Sequence, residues 1–177
     1  MRQRITNPKI AHIEEPILKG IAQKTYRYVH PDVATAFAIM AAGCAFASYI
    51  STKSNPAFFL LASVFVGVHY VMDGIDGKIA KLRGMDTPGT SNYRPYGWHI
   101  DKAADFISAM FFIAGFFWAV TGNMTFTGTL TGLFVIGYIQ LMTYSSKSQK
   151  DLVMGGTESR LGLIALNVIA YVACTVF

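Results

Sequence analysis

Four aspartates carry most of the chemistry this sequence can do. Asp73 and Asp76 stand three apart in "VMDGIDGKIAKLRG", and Asp101 and Asp105 four apart in "GWHIDKAADFISAMFF". On a helix, either spacing lays both carboxylates along one face. Each pair also borders a long apolar run, so the charges fall at the mouths of candidate membrane helices. An ionised Asp at the centre of a membrane helix costs about 2.5–3.5 kcal/mol on insertion scales, so four placed deep and unpaired would cost roughly 10 kcal/mol. Mutual repulsion adds to that or forces protonation. Placement at the membrane edge lowers the cost, yet converging carboxylates still need positive charge. Lys78, Lys81 and Lys102 supply some of it; one or two divalent cations supply it better. Oxygen ligands favour Mg²⁺, Mn²⁺ or Ca²⁺ over zinc, for which neither cysteine nor a histidine cluster is at hand.

Gly77 and Ala80 follow Asp73 by four and seven residues and share roughly its helix face. Small residues there either leave room for a ligand beside the carboxylates or let helices pack closely. With Lys81 alongside, such a site could hold a diphosphate through bridging metals, which act as clamps and charge neutralisers in phosphoryl transfer. His69, one turn before Asp73, reads either as a packing residue or as a donor behind the carboxylates.

The elements that must position these groups follow from composition. The 177 residues are 53% hydrophobic and only 14% charged, well short of the roughly one quarter charged in a soluble domain. Stretches 33–52, 57–72, 106–146 and 161–177 lack Asp, Glu, Lys and Arg altogether, and a membrane span needs roughly 20 such residues. The third stretch is long enough for two helices, with "VTGNMTFTG" as the turn between them. The second is short, so its helix must run on into the Asp-bearing segment. The expectation is an all-α polytopic bundle of five spans.

Residues 9–28 mix charges of both signs with Ile10, Ile13, Ile17, Leu18 and Ile21 near helical spacing. They predict an interfacial helix with Pro16 as a kink, or else a disordered tail. The organisation expected is a cytoplasmic N-terminal segment, 1–31, followed by a membrane domain, 32–177. "HPDVAT" opens the first span, with Pro31 in the first turn and Asp32 at the positive helix end. Residues 85–97 read as a loop. The basic N-terminus has no apolar core after it and is no signal peptide. Cys44 and Cys174 fall inside spans and are expected as free thiols packed like small apolar residues. Of the 15 Lys and Arg, only Lys53 lies on the opposite side to the rest. By the positive-inside rule the basic side, where the aspartates open, faces the cytoplasm. The net charge of +5 is thus a topology signal suited to anionic headgroups, with no nucleic acid implied.

"DGIDGKIAK…GWHIDKAAD" resembles the signature of the CDP-alcohol phosphotransferases, D-x-x-D-G-x-x-A-R followed by G-x-x-x-D-x-x-x-D. Asp73, Asp76, Gly77, Ala80, Gly97, Asp101 and Asp105 match; Lys81 stands where the family has arginine. "HPDVATA" is similar to the T-P-N-x-x-T that opens the family's first span, and "GGTESRLG" to its entry into the fifth. The resemblance implies metal ligation by Asp73, Asp76 and Asp101, with Asp105 also near two Mg²⁺ or Mn²⁺ ions and acting as general base. It implies that Asp73, Gly77, Ala80, Lys81 and Thr35 line the CDP moiety. It also implies a CDP-linked lipid or alcohol substrate, surrounding membrane lipids, CMP as leaving group, and a homodimer. Lys147, Lys150 and Arg160 would bind a phosphate on the acceptor, or else express only the positive-inside bias.

Lys102 after the third aspartate, where choline and ethanolamine branches usually have histidine, leans toward a CDP-diacylglycerol donor and a polar alcohol acceptor. A choline/ethanolamine-type enzyme, a cation transporter and a catalytically inactive homologue are the competing readings. Three departures stand out. Lys81 keeps the charge but loses the planar fork. The spacer from Lys81 to Gly97 is longer than the family's, as a plain loop or as a lid. Five spans stand where the family usually has six, which reads as truncation.

Overall fold

A computed structural model describes the backbone of residues 8–148 and 156–176, and the side chains of 13–140 and 159–176. It contains six helices and, among the described residues, no strand: α1 (Pro8–Thr25), α2 (Pro31–Ser51), α3 (Phe58–Leu82), α4 (Gly97–Thr121), α5 (Met124–Ser148) and α6 (Gly156–Val176). Among the described residues four helical segments are long and apolar enough to cross a membrane: α2, α3, α4 and Ser159–Val176 of α6. α5 is the segment expected as the fourth span; its side chains are described only to 140, and it is not among those four. The protein is a polytopic helical membrane protein.

α2 sits at the centre, against both α3 and α4, and its sequence explains why. Ala34, Ala38, Ala41, Ala45 and Ser48 are all buried and recur at alternating steps of four and three. A stripe of small side chains lets helix backbones approach closely where lipid gives no hydrophobic drive to associate. At Gly115 of α4, an added Cβ would lie 2.6 Å from Tyr49 Cδ2 on α2, so this crossing tolerates nothing larger than glycine. Tyr49, Phe59 and Phe112 join Ala42, Ala45, Ala62 and Val66 in the main core. Tyr49, Phe59 and Phe116 meet edge to face in pairs, at centroid separations of 6.0–6.5 Å.

The turns agree with the sequence reading. His30 caps α2, its Nδ1 accepting from the Asp32 amide, and Pro31 opens the helix. α4 ends at Gly122, left-handed with φ 61°, where the next helix begins two residues on. Lys53, from the α2–α3 turn, lies over the Trp118 ring at 4.5 Å and beside Gly122, so both turns occupy the same end of the bundle. The four aspartates are at the other end.

α1 is helical as expected, with Pro16 inside it. It splits the predicted apolar positions between two faces. Leu18 is buried in a second core with Ala22, Ala34, Ile75 and Ile79, while Ile13 and Ile17 remain exposed. Leu18 lies so close over Gly74 that a Cβ there would sit 2.6 Å from Leu18 Cδ1. Arg83, at the end of α3, donates from Nε to the Tyr26 carbonyl at 2.7 Å and ties the same junction. One expectation is corrected: Cys44 and Cys174 are free thiols but exposed on helix surfaces, not packed. A thiol is apolar enough to face lipid, so a span imposes no need to bury it.

Candidate active site

The site grows out of the same periodicity that builds the core. On α3 the buried positions Phe59, Ala62, Val66 and His69 advance by three, four and three. The next steps of that series are Asp73 and Asp76. The stripe that is apolar through the span therefore becomes acidic as the helix reaches the end of the bundle. α4 runs the other way, and its buried series Ala104, Ser108, Phe112 and Gly115 starts one turn after Asp101. Two antiparallel helices thus deliver their carboxylates to one place.

Carboxylate oxygens of Asp73, Asp76 and Asp101 lie within 4.8 Å of one another. Asp76 is the buried member; its Oδ2 accepts from the Thr35 hydroxyl at 2.7 Å, and its Oδ1 accepts from the Gly77 amide. Thr35 is itself buried one turn into α2, its hydroxyl oxygen also 3.1 Å from the Pro31 carbonyl. Asp73 and Asp101 are half-buried. Asp105 stands beside this trio rather than in it. Lys102 Nζ is 2.9 Å from Asp105 Oδ2 and 3.8 Å from Asp101 Oδ2.

Three carboxylates in such proximity repel one another, and the oxygen-only donor set is the kind that holds a hard divalent cation. The residues present fit the metal that the sequence resemblance implies. The open side of the cluster runs along α3. Gly77 is exposed, and no atom of the described residues outside its own helix backbone and chain neighbours lies within 4 Å of where its Cβ would be. Ala80 is half-buried and Lys81 exposed on the same side. Gly77 is open on this side, whereas Gly74, three residues earlier, is packed against the Leu18 side chain.

Arg160 takes a position that local sequence does not announce. From the first turns of α6 its Nη2 reaches Asp73 Oδ2 at 2.7 Å and Asp105 Oδ1 at 3.7 Å. Lys147 lies in the last turn of α5 with its side chain outside the described residues, and Lys150 lies outside them entirely. The long connection between α3 and α4 closes on itself through the Arg94 amide to the Met85 carbonyl, 2.9 Å, and the Thr90 hydroxyl to the Gly84 carbonyl, 2.6 Å. The Arg94 guanidinium then pairs with Asp32 at the start of α2. His69 is buried edge-on against Phe112, ring centroids 5.0 Å apart, with Nδ1 making no hydrogen bond among the described residues.

The family model for CDP-alcohol phosphatidyltransferase matches residues 28–176, from the approach to α2 to the end of α6. No curated protein and no solved structure gives a match. The match takes in every helix that contributes to the carboxylate site and leaves out α1. With seven of its signature residues gathered on α3 and α4 around one acidic cluster, the chain belongs to the CDP-alcohol phosphatidyltransferase family.

Proposed function

We propose that the protein transfers a phosphatidyl group from CDP-diacylglycerol to the hydroxyl of a polar alcohol, releasing CMP, in phospholipid synthesis. The observation that carries this reading is the trio Asp73, Asp76 and Asp101 at the mouth of the bundle, beside open space at Gly77. Asp73, Asp76 and Asp101 would hold Mg²⁺ or Mn²⁺, which when bound neutralises diphosphate charge and polarises the phosphoryl oxygens. Thr35 fixes the rotamer of Asp76 by donating to Oδ2 and leaves Oδ1 directed by the Gly77 amide. Gly77 and Ala80 leave room for the cytidine diphosphate, and Lys81 offers it a point charge in place of arginine's fork.

Asp105 takes the proton from the acceptor hydroxyl. Its place just outside the trio suits a base that must reach a second substrate, and Lys102 Nζ lies 2.9 Å from its Oδ2. The acceptor oxygen forms a bond to the phosphorus bearing the lipid, the bond from that phosphorus to the CMP oxygen breaks, and CMP departs. Arg160, with Lys147 and Lys150, would recognise a phosphate on the acceptor. A lipid donor reaches the site from the bilayer while the polar groups arrive from the cytoplasm, which explains carboxylates at a membrane edge. A cation pathway would need acids deeper in the bundle. Below Asp73 the buried stripe of α3 is His69, Val66, Ala62 and Phe59, which offers no such path.

The test is release of CMP from labelled CDP-diacylglycerol by purified protein with Mn²⁺ or Mg²⁺ and a panel of alcohols. Turnover with one acceptor is expected, lost by two orders of magnitude or more in Asp105→Asn, the usual scale for a positioned base being about 10²–10⁴. CDP binding should survive that substitution. No CMP from any donor, together with metal-dependent ion flux, would overturn the reading.

A further inference from the structure

Asp73 is claimed twice. It belongs to the trio whose oxygens lie within 4.8 Å of one another, and it is also the main partner of Arg160 at 2.7 Å. The same guanidinium nitrogen stands 3.7 Å from Asp105. One nitrogen of α6 thus bridges carboxylates from α3 and α4, at the place where the cluster needs positive charge. Both members of the main pair are well shielded, with side-chain exposures of 15% for Arg160 and 16% for Asp73. The Arg94–Asp32 pair differs, its aspartate being 49% exposed. Shielding makes the Arg160 interaction strong, and it would make repulsion between that guanidinium and a neighbouring divalent cation strong as well. Lys102 pairs instead with Asp105 and Asp101, both on its own helix.

We propose that Arg160 is the built-in counter-cation of the metal-free site, and that a divalent cation binding at Asp73, Asp76 and Asp101 displaces it from Asp73. The proposal rests on reading the trio as a metal site. It adds a role for Arg160 before any substrate arrives: the residue holds α6 against α3 and α4 while the site is empty of metal, and it sets how tightly the metal binds. Its guanidinium carbon lies 5.8 Å from the centre of the Tyr70 ring, so an aromatic face is within reach as it withdraws. By linkage, whatever weakens the Arg160–Asp73 pair must tighten metal binding by the same factor.

The experiment is titration of the full chain in detergent with Mn²⁺ alone, followed by electron paramagnetic resonance of the unbound ion, for wild type, Arg160→Gln and Arg160→Lys. Arg160→Gln should bind Mn²⁺ on the order of fivefold tighter or more, the lower end of ordinary coupling between sites. Arg160→Lys keeps the charge on a shorter stem without the fork and should fall between. If Arg160→Gln fails to fold, the lysine variant alone carries the test, and affinity equal to wild type sinks the proposal. Equal or weaker binding by a folded Arg160→Gln overturns displacement while leaving the metal site standing. Absence of Mn²⁺ binding by wild type and both variants overturns the metal reading and the proposal together.

Discussion

Two polar clusters among the described residues of this bundle are built on opposite principles. In the middle, Tyr49 donates to Asn167 Oδ1 at 2.9 Å, and Asn167 Nδ2 donates to the Ser63 hydroxyl at 3.1 Å, joining α2, α6 and α3. That cluster is neutral, and Asn167 is fully buried with both ends of its amide satisfied. At the bundle's end, among the described residues, Asp73, Asp101 and Asp105 pair with Lys102 and Arg160 beside the buried Asp76, next to open space at Gly77. A satisfied neutral network in a membrane fixes helix rotation and asks for nothing more. An excess of charge beside a gap is costly unless a ligand completes it. The difference separates what holds the fold from the site proposed to act. It also links them, because Asn167 lies two turns from Arg160 on the same face of α6. The inner network therefore aims the arginine at the acids.

Substitutions at the two clusters should separate along the same line. The largest effect belongs to Asp76→Asn, which keeps the shape and the Thr35 contact but removes a carboxylate from the trio. CMP release should fall by about two orders of magnitude or more, with little change in thermal unfolding measured in detergent. Asn167→Leu should do the reverse. It orphans the Tyr49 hydroxyl and the Ser63 partner and should cost about 1–2 kcal/mol in unfolding, while Mn²⁺ affinity of the folded fraction changes less than threefold. A larger loss of metal binding than of stability would break the division.

Two glycines within one turn give a finer comparison. Gly74→Ala puts a Cβ 2.6 Å from the Leu18 side chain, so the Asp76 turn keeps its chemistry while α1 is pushed off α3. Gly77→Ala meets nothing among the described residues, and its Cβ would stand in the space proposed for the cytidine diphosphate. The first should lower the melting temperature by several degrees, roughly the effect of 1 kcal/mol. The second should not lower melting, since alanine favours a helix interior over glycine, yet should weaken CDP binding in an equilibrium titration. The smallest effect is expected from Asp32→Asn, which breaks the half-exposed pair with Arg94. A shift below about 1 kcal/mol is the usual worth of such a pair; a larger loss of activity than of stability would make the long α3–α4 loop a lid.

Much of this was legible in the residue order, for reasons that are local. Paired aspartates at three and four residues, a Pro-Asp helix entry and a Thr-Gly-Asn turn each act within one or two helical turns, so spacing alone exposes them. What spacing could not reach depends on helix rotation within the bundle. Arg160 is 87 residues from Asp73, and its sequence context suits a role in binding the acceptor as well as it suits an ion pair. Gly74 and Gly77 look alike in sequence, yet one faces a packed leucine and the other open space. Cys44 and Cys174 were misjudged because an apolar residue in a span faces lipid as readily as protein. The Tyr49–Asn167–Ser63 network gave no signal at all, its members lying in three separate apolar runs.

The claim that the charged end is the ligand site and the neutral centre its frame comes down to where a divalent ion binds. Mn²⁺ binding by electron paramagnetic resonance, compared across wild type, Asp76→Asn and Asn167→Leu, tests it most directly. Saturable binding in wild type, lost in Asp76→Asn and kept in Asn167→Leu, is the predicted result. Binding that survives Asp76→Asn unchanged, or that disappears with Asn167 while the helices stay folded, would contradict it.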